Sequence, residues 1–187
     1  MGRNAFVIAL VIAAAGAGYY AWSRSRTQQL TPAQMVRKYS EVLSAEEVRD
    51  QFELKVDPAA KAEGHLRRGV RVDWSIPGTD GQRVTFLTIT VDSGAEEGMA
   101  YLLRQRKNPP PRMLEGLGRD AHACEEKGSA GGTARIVTLM KGDLLVEIKV
   151  SNADRVLKLP GACGPNSAQR FSLDGLVDLA RKIRPRI

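Results

Sequence analysis

The pattern of hydrophobic and polar residues divides this chain into two unequal parts. Residues 5–22 carry no charge and are almost all apolar, whereas apolar and polar residues alternate or recur at helical spacing through residues 32–187. As a helix rising about 1.5 Å per residue, the first segment would be roughly 27 Å long, close to the hydrocarbon thickness of a bilayer. It therefore predicts one N-terminal transmembrane helix, with the lipid bilayer as its partner, in a membrane anchor that occupies residues 1–26.

Period-two alternation predicts strands in the middle and the last third of the chain. Apolar residues alternate with polar ones from Val70 to Ile76, and residues 84–91 are rich in β-branched side chains. Turn residues at 77–81 should join these two strands as a hairpin. Further strands are predicted over residues 121–125, 133–140 and 144–150.

Helix signals lie on both sides of these strands. Thr31 and Ser44 stand as N-caps before segments of helical spacing, and the two helices are expected to end near Leu43 and Phe52. Proline and glycine predict a loop within residues 57–64. Two later helices are expected over residues 93–107 and 173–183.

The order of the predicted elements defines the fold class. Helices come first, then a hairpin, a helix, three strands and a final helix, which predicts an α+β fold with helices packed on a mostly antiparallel sheet. A spacer of residues 27–31 would join the anchor to a single soluble α+β domain at 32–187. That length is enough for one hydrophobic core.

Aromatic and basic residues mark the C-terminal end of the apolar run. Tyr19, Tyr20 and Trp22 cluster there, and amphipathic rings favour the headgroup layer of a membrane. Arg24 and Arg26 follow at once. We expect these five side chains to lie at the membrane interface.

A cleaved signal peptide is the alternative interpretation of the same segment. Arg3 would supply its basic region, residues 6–12 its apolar region, and Ala15-Gly16-Ala17 its cleavage site. The aromatic residues beyond that site lie where an uncleaved anchor needs them, which favours the anchor.

The charge balance argues against a nucleic-acid partner. The chain has 28 basic and 21 acidic residues, a net charge of +7. Without Arg3, Arg24 and Arg26, 25 basic residues remain against 21 acidic ones, a net charge of +4. Since these charges are scattered and aromatic residues are few, the composition indicates a mixed-charge solvated surface.

Cys124 and Cys163 are the two cysteines of the chain. An even pair behind an export-like N-terminus predicts a disulfide, which would close a loop of about 40 residues and contribute at most roughly 4 kcal/mol. The bond would hold the glycine- and proline-rich segment around Cys163. Two buried free thiols are the alternative. The charges beside the anchor slightly favour a cytoplasmic domain, but an oxidised pair favours the periplasmic, extracytoplasmic side.

The sequence contains no motif for a catalytic or metal centre. Its two histidines and two cysteines offer the four soft ligands that zinc takes, but their spacing matches no zinc pattern. These residues are His65, His122, Cys124 and Cys163. A Cys–His nucleophile at Cys124 would be abolished by the disulfide. We therefore expect no catalytic residue, no metal, no cofactor and no enzymatic activity.

Three segments of the last third resemble a known family of small domains. They are Gly116-Leu-Gly-Arg-Asp-Ala121, Lys141-Gly-Asp-Leu-Leu-Val146 and a C-terminal Leu-Ala-Arg-Lys helix. Together they are similar to the Mog1/PsbP-like α/β domains of anchored bacterial extracytoplasmic proteins, although Arg119 separates the family's usual Gly-Asp pair. The resemblance covers about residues 115–187. It implies a Mog1/PsbP-like sandwich with a binding or accessory role in the bacterial envelope and no catalytic residues.

These expectations combine into one functional hypothesis, a membrane-anchored extracytoplasmic binding or accessory domain whose partner is a protein or an envelope component. The alternative is a single-span structural subunit of a larger membrane protein complex, because Ala14 and Gly18 have a spacing that lets helices approach closely. An enzyme is a third possibility, which the missing motifs disfavour.

Overall fold

The structure, a computed structural model, describes residues 31–65, 69–105, 110–127 and 132–187. The chain divides into two units, Met1–Leu30 and Thr31–Ile187. The second unit is an α+β domain in which the described strands form one seven-stranded sheet and each described strand pair is antiparallel. The predicted fold class and sheet type are confirmed.

The helices and strands of the domain alternate along the chain. In order they are α1 (Pro32–Tyr39), α2 (Ala45–Phe52), β1 (Ala59–His65), β2 (Gly69–Pro77), β3 (Arg83–Ser93), α3 (Ala95–Gln105), β4 (Arg112–Met113), β5 (His122–Lys127), β6 (Thr133–Lys141), β7 (Leu144–Val150), α4 (Ala153–Leu157), α5 (Ser167–Arg170), α6 (Leu173–Ile183) and a 3₁₀ turn (Arg184–Arg186). Across the sheet the strand order is β1-β2-β3-β7-β6-β5-β4, so β1 and β4 form its edges.

The first two helices begin at the predicted caps. The Thr31 hydroxyl accepts from the Gln34 backbone N–H at 3.3 Å, while the Gln34 side chain accepts from the Thr31 N–H at 2.8 Å. Ser44 and Glu47 form the same reciprocal pair at 3.1 and 2.8 Å. Each pair satisfies backbone donors that a helix start leaves without partners. α1 ends at Tyr39, earlier than predicted, because the chain turns before the cap of α2.

β1 is a strand where the sequence predicts a loop. Its residues include alanine, glycine and charged side chains but no β-branched one, so local propensity gives no strand signal. The strand forms by antiparallel pairing with β2, in which Ala62 lies opposite Val72. The expectation of a loop here is therefore wrong, since tertiary pairing overrides propensity.

The hydrophobic core lies on one face of the sheet. Val72 and Ile89 are opposite each other on β2 and β3 and are buried on this face, against which α1, α2 and α6 pack. Phe52 of α2, Phe86 of β3 and Phe171 before α6 meet here with ring centroids 4.7 to 5.7 Å apart. We call this face the core face.

α3 packs on the opposite face of the sheet, against β7. Gly98 approaches Leu145 so closely that a Cβ atom at position 98 would lie 2.7 Å from the Leu145 Cδ2. A larger residue at position 98 would require the Leu145 side chain to shift. Further along the same face, Ile136 and Thr138 of β6 are buried. Among the described residues, no helix covers this face over β1, β2 and β3.

Glu53 fastens the segment between α4 and α6 to the end of α2. Its carboxylate accepts from the Asn166 backbone N–H at 3.0 Å, and its carbonyl accepts from the Gly164 N–H at 2.7 Å and the Ser167 hydroxyl at 3.1 Å. The left-handed backbone of Glu53, with φ of 49° and ψ of 48°, turns both groups toward this segment. These hydrogen bonds hold the glycine- and proline-rich chain that a disulfide was expected to hold.

Candidate functional site

Two rows of polar side chains cross the uncovered part of the sheet. Residues directly opposite each other on antiparallel strands point to the same side, so each row forms a continuous line. The first row is Lys61, Asp73, Thr88 and Lys149, and the second is Glu63, Arg71, Thr90 and Glu147. We call these eight residues the polar face. β1, β2 and β7 each contribute two charged residues, two positions apart, and the two charges on each strand have opposite signs.

A hydrogen-bonded group organises the middle of the polar face. Arg71 Nε donates to both carboxylate oxygens of Asp73, at 3.0 and 2.9 Å. The Thr88 hydroxyl donates to Asp73 Oδ1 at 2.6 Å. Since the Asp73 side chain is only 20% exposed, these bonds are partly shielded from water and orient the three side chains.

The polar face contains a shallow concavity of about 430 Å³. Its lining residues are Arg71, Thr85, Thr88, Thr90, Glu147, Lys149, Ser151 and Asn152. Asn152 takes a left-handed backbone, with φ of 55°, and its side-chain amide donates to the Thr85 carbonyl at 2.8 Å. This turn closes the concavity at the end of β7.

The concavity offers both donors and acceptors to a ligand. The Thr90 hydroxyl can both donate and accept, the Thr88 hydroxyl can accept because its hydrogen is donated to Asp73, and the Lys149 ammonium only donates. The Lys149 side chain makes no hydrogen bond or ion pair with any residue that the structure describes. None of the lining residues is a histidine or a cysteine. The arrangement is therefore suited to binding a polar partner through several hydrogen bonds.

A smaller cleft of about 260 Å³ lies between α2 and α6. Lys182 Nζ donates to the buried Gln51 Oε1 at 2.6 Å, and Arg186 pairs with Glu47 at 2.6 Å. The Ser44 backbone N–H and Arg186 hold the pKa of Glu47 below its ordinary value. Because these groups satisfy one another and tie the C-terminus to α2, we interpret the cleft as structural.

The predicted disulfide is absent, and both cysteines are free thiols in the structure. Cys124 lies opposite Ile136 on the face that α3 covers, whereas Cys163 pairs with Leu54 beside the helices of the core face. A disulfide needs Cα atoms within about 7 Å of each other, and the sheet separates these two. The Cys163 thiol lies 3.7 Å from the Val156 carbonyl, and burial raises its pKa.

The histidines and cysteines form no metal site in the described part of the chain. His122 is fully buried on β5, and its Nδ1 lies 3.0 Å from the Asp120 carbonyl. No group of three or more histidine, cysteine or acidic residues able to hold a metal ion occurs among the residues described. The side chain of His65 lies outside them.

The predicted anchor lies outside the described residues. This holds for residues 5–22 and for the predicted interface residues, which are Tyr19, Tyr20, Trp22, Arg24 and Arg26. Within the described ranges, no helix is long and apolar enough to cross a membrane. The transmembrane helix stays a prediction.

The sequence pattern predicts no binding residue on the polar face. The reason is the missed strand β1, without which Lys61 and Glu63 have no known neighbours. A signal was present, because oppositely charged residues two positions apart occur in both segments, Lys61 with Glu63 and Arg71 with Asp73. Alternating positions in paired strands share one face.

The fold and the polar face together describe an α+β domain with an exposed polar concavity on its sheet. No protein-family model, curated protein or solved structure matches this chain. Its function is therefore inferred from the geometry of the domain and the pattern of the sequence.

Proposed function

We propose that this chain is a membrane-anchored binding or accessory protein of the bacterial envelope, and that a protein or another envelope component docks on the polar face. In this proposal residues 5–22 cross the bilayer once, and Tyr19, Tyr20 and Trp22 lie at its surface. The domain is on the extracytoplasmic side and has no enzymatic activity of its own.

The observation that carries this proposal is the hydrogen-bonded concavity on the polar face. On this sheet face α3 packs against β7 at Leu145, whereas no described helix covers the face over β1, β2 and β3. The uncovered part bears oriented polar side chains around Asp73, and the Lys149 side chain has no hydrogen-bond or ion-pair partner among the described residues. A pre-oriented surface of this kind binds at a lower entropic cost than mobile side chains do.

The location of the domain rests on other observations. The free thiols of Cys124 and Cys163 do not favour an oxidising compartment, so they no longer support the extracytoplasmic side. That side is supported by the export-like N-terminus and by the resemblance of residues 115–187 to Mog1/PsbP-like domains. The same resemblance supports a Mog1/PsbP-like sandwich as the finer description of the fold.

Photo-cross-linking of the full chain in its native membrane tests where the partner binds. A photoreactive phenylalanine at Lys149 is expected to form a cross-linked adduct, because this position lines the concavity. The matched control is the same replacement at Lys55, an exposed lysine next to α2 on the core-face side of the sheet. An adduct at 149 that Thr88→Arg abolishes would support the proposal.

Two outcomes would contradict it. Equal adducts from positions 149 and 55 would show that the polar face is not the docking surface. An adduct from neither position, with a partner that co-purifies through the N-terminal segment, would favour the single-span subunit. In that case Gly18→Ile should release the partner, because it blocks close helix approach at the Ala14–Gly18 spacing.

A further inference from the structure

β1 forms one edge of the sheet. β1 has seven residues and ends the sheet, so one side of its backbone has no strand beside it among the described residues. An edge strand presents backbone N–H and C=O groups that can pair with another chain. The Lys61 and Glu63 side chains are 78% and 50% exposed. Small residues at positions 60, 62 and 64 leave the approach to this edge open.

The charges on β1 are self-complementary in one antiparallel register. If two copies of β1 pair with Ala62 opposite Ala62, Lys61 of each copy lies opposite Glu63 of the other. Directly opposite side chains have Cβ atoms about 4.5–5.5 Å apart, within reach of an ion pair. The same arrangement extends the alternation of charge already present between β1 and β2, where Lys61 faces Asp73 and Glu63 faces Arg71.

The neighbouring registers place like charges together. A shift of two residues in one direction puts Glu63 opposite Glu63, and a shift in the other direction puts Lys61 opposite Lys61. Like charges directly opposite one another destabilise a strand pair. Charges on an edge strand usually prevent pairing, but this pattern blocks the shifted registers and permits the register centred on Ala62.

We propose that two copies of this chain pair through β1, antiparallel and centred on Ala62, so that their sheets join into one. The pairing forms about six to eight backbone hydrogen bonds between the strands. A two-fold axis perpendicular to the sheet keeps both polar faces on the same side. The dimer therefore presents one continuous polar surface, with Lys61 and Glu63 of both copies at its centre. This inference concerns β1 alone and does not depend on the membrane anchor.

Charge reversal in the full chain tests this pairing. Light scattering during gel filtration in detergent gives the protein mass, which is expected to be that of two chains. Lys61→Glu and Glu63→Lys each place like charges opposite one another and should weaken dimerisation roughly tenfold. The double variant restores opposite charges and should restore the dimer. Lys55→Glu, the same change in charge away from β1, should leave it intact.

Cysteine cross-linking gives a second readout that does not depend on charge. Ala62→Cys is expected to form a disulfide-linked dimer under mild oxidation, because the two copies of residue 62 are direct neighbours. Ala59→Cys is the control on the same strand, since its two copies would lie about 20 Å apart. The unmodified chain, with Cys124 buried and Cys163 half-buried, gives the background.

The outcomes separate this pairing from other modes of association. A protein mass of one chain, or a dimer that both single reversals leave unchanged, would overturn the proposal. The second of these results would locate the contact elsewhere, for example between N-terminal helices. Equal cross-linking at positions 59 and 62 would exclude the register. Loss of the dimer in the single variants, with its return in the double variant, would support it.

Discussion

Asp73 holds the centre of the polar face together, so its replacement by alanine should lower the stability of the domain by a predictable amount. The substitution leaves Arg71 and the Thr88 hydroxyl without their acceptor. A hydrogen bond to a charged group contributes about 1.5–3 kcal/mol, whereas an exposed ion pair contributes about 0–1 kcal/mol. The Asp73 side chain is 20% exposed and that of Arg71 is 43% exposed. We therefore expect a loss of about 1–2 kcal/mol.

Thermal unfolding of the full chain in detergent, followed by tryptophan fluorescence, measures this loss. For a domain of this size, 1 kcal/mol corresponds to about 2–4 °C in Tm, so Asp73→Ala should lower Tm by about 2–8 °C. Glu115→Ala removes an exposed carboxylate that has no ion pair in the described structure, and its Tm should stay within about 1 °C of the original.

A double-mutant cycle isolates the bond between Asp73 and Thr88. Thr88→Val alone removes the hydroxyl, and in the Asp73→Ala background the same change should cost less by about 0.5–1.5 kcal/mol. Additive effects of the two substitutions would refute the assigned hydrogen bond. An unchanged Tm in Asp73→Ala would refute the wider claim that this group is ordered in the folded domain.

The remaining predictions concern the cysteines, the C-terminal ion pair and the core. Because Cys124 and Cys163 are free thiols, Tm should be the same with and without reductant. A lower Tm after reduction would contradict this and would support a disulfide between the two cysteines. The pKa of Glu47 is lowered in the folded state, so its carboxylate stabilises the domain above the ordinary value of 4.5, and this contribution disappears as the pH falls through the lowered pKa. Urea unfolding should therefore show a weaker loss of stability on acidification in Glu47→Gln, and identical pH profiles would contradict this. Phe171→Ala should destabilise the core by about 3–5 kcal/mol in urea unfolding, whereas Tyr101→Ala, at an exposed position, should have little effect.

Elements that are marked by a helix cap or by a clear apolar pattern were predictable from the sequence. Thr31 and Ser44 cap α1 and α2, and Ser172 accepts from the Gly175 N–H at the start of α6. β7 has the predicted bounds, because it begins with three apolar residues, alternates from Val146 to Val150 and follows a tight turn. In these places the residues that define an element also supply its stabilising contacts.

Elements that depend on distant partners were not predictable. β1 has no strand propensity of its own and forms only beside β2. The short helices α4 and α5 flank a segment rich in glycine and proline. This segment is held by hydrogen bonds to Glu53, which is far from it in the sequence. No local pattern encodes such a contact.

The polar face depends on strand register, which the sequence of one strand does not contain. Arg71 and Asp73 are recognisable as polar positions on β2, but their opposition to Glu63 and Lys61 follows from pairing. The disulfide prediction was wrong for the same reason. The even number of cysteines and the length of the chain between them do not show on which side of the sheet Cys124 lies.

Thiol labelling in intact cells with a membrane-impermeant reagent tests the central claim, that the polar face is displayed outside the cytoplasm and covered by a partner. Lys149→Cys and Lys55→Cys are compared in the full chain, with the unmodified chain as background. We expect both positions to react in intact cells, position 149 to react more slowly than position 55, and the two rates to converge after purification. Labelling only after lysis would contradict the location, and an unchanged ratio of rates after purification would contradict docking on the polar face.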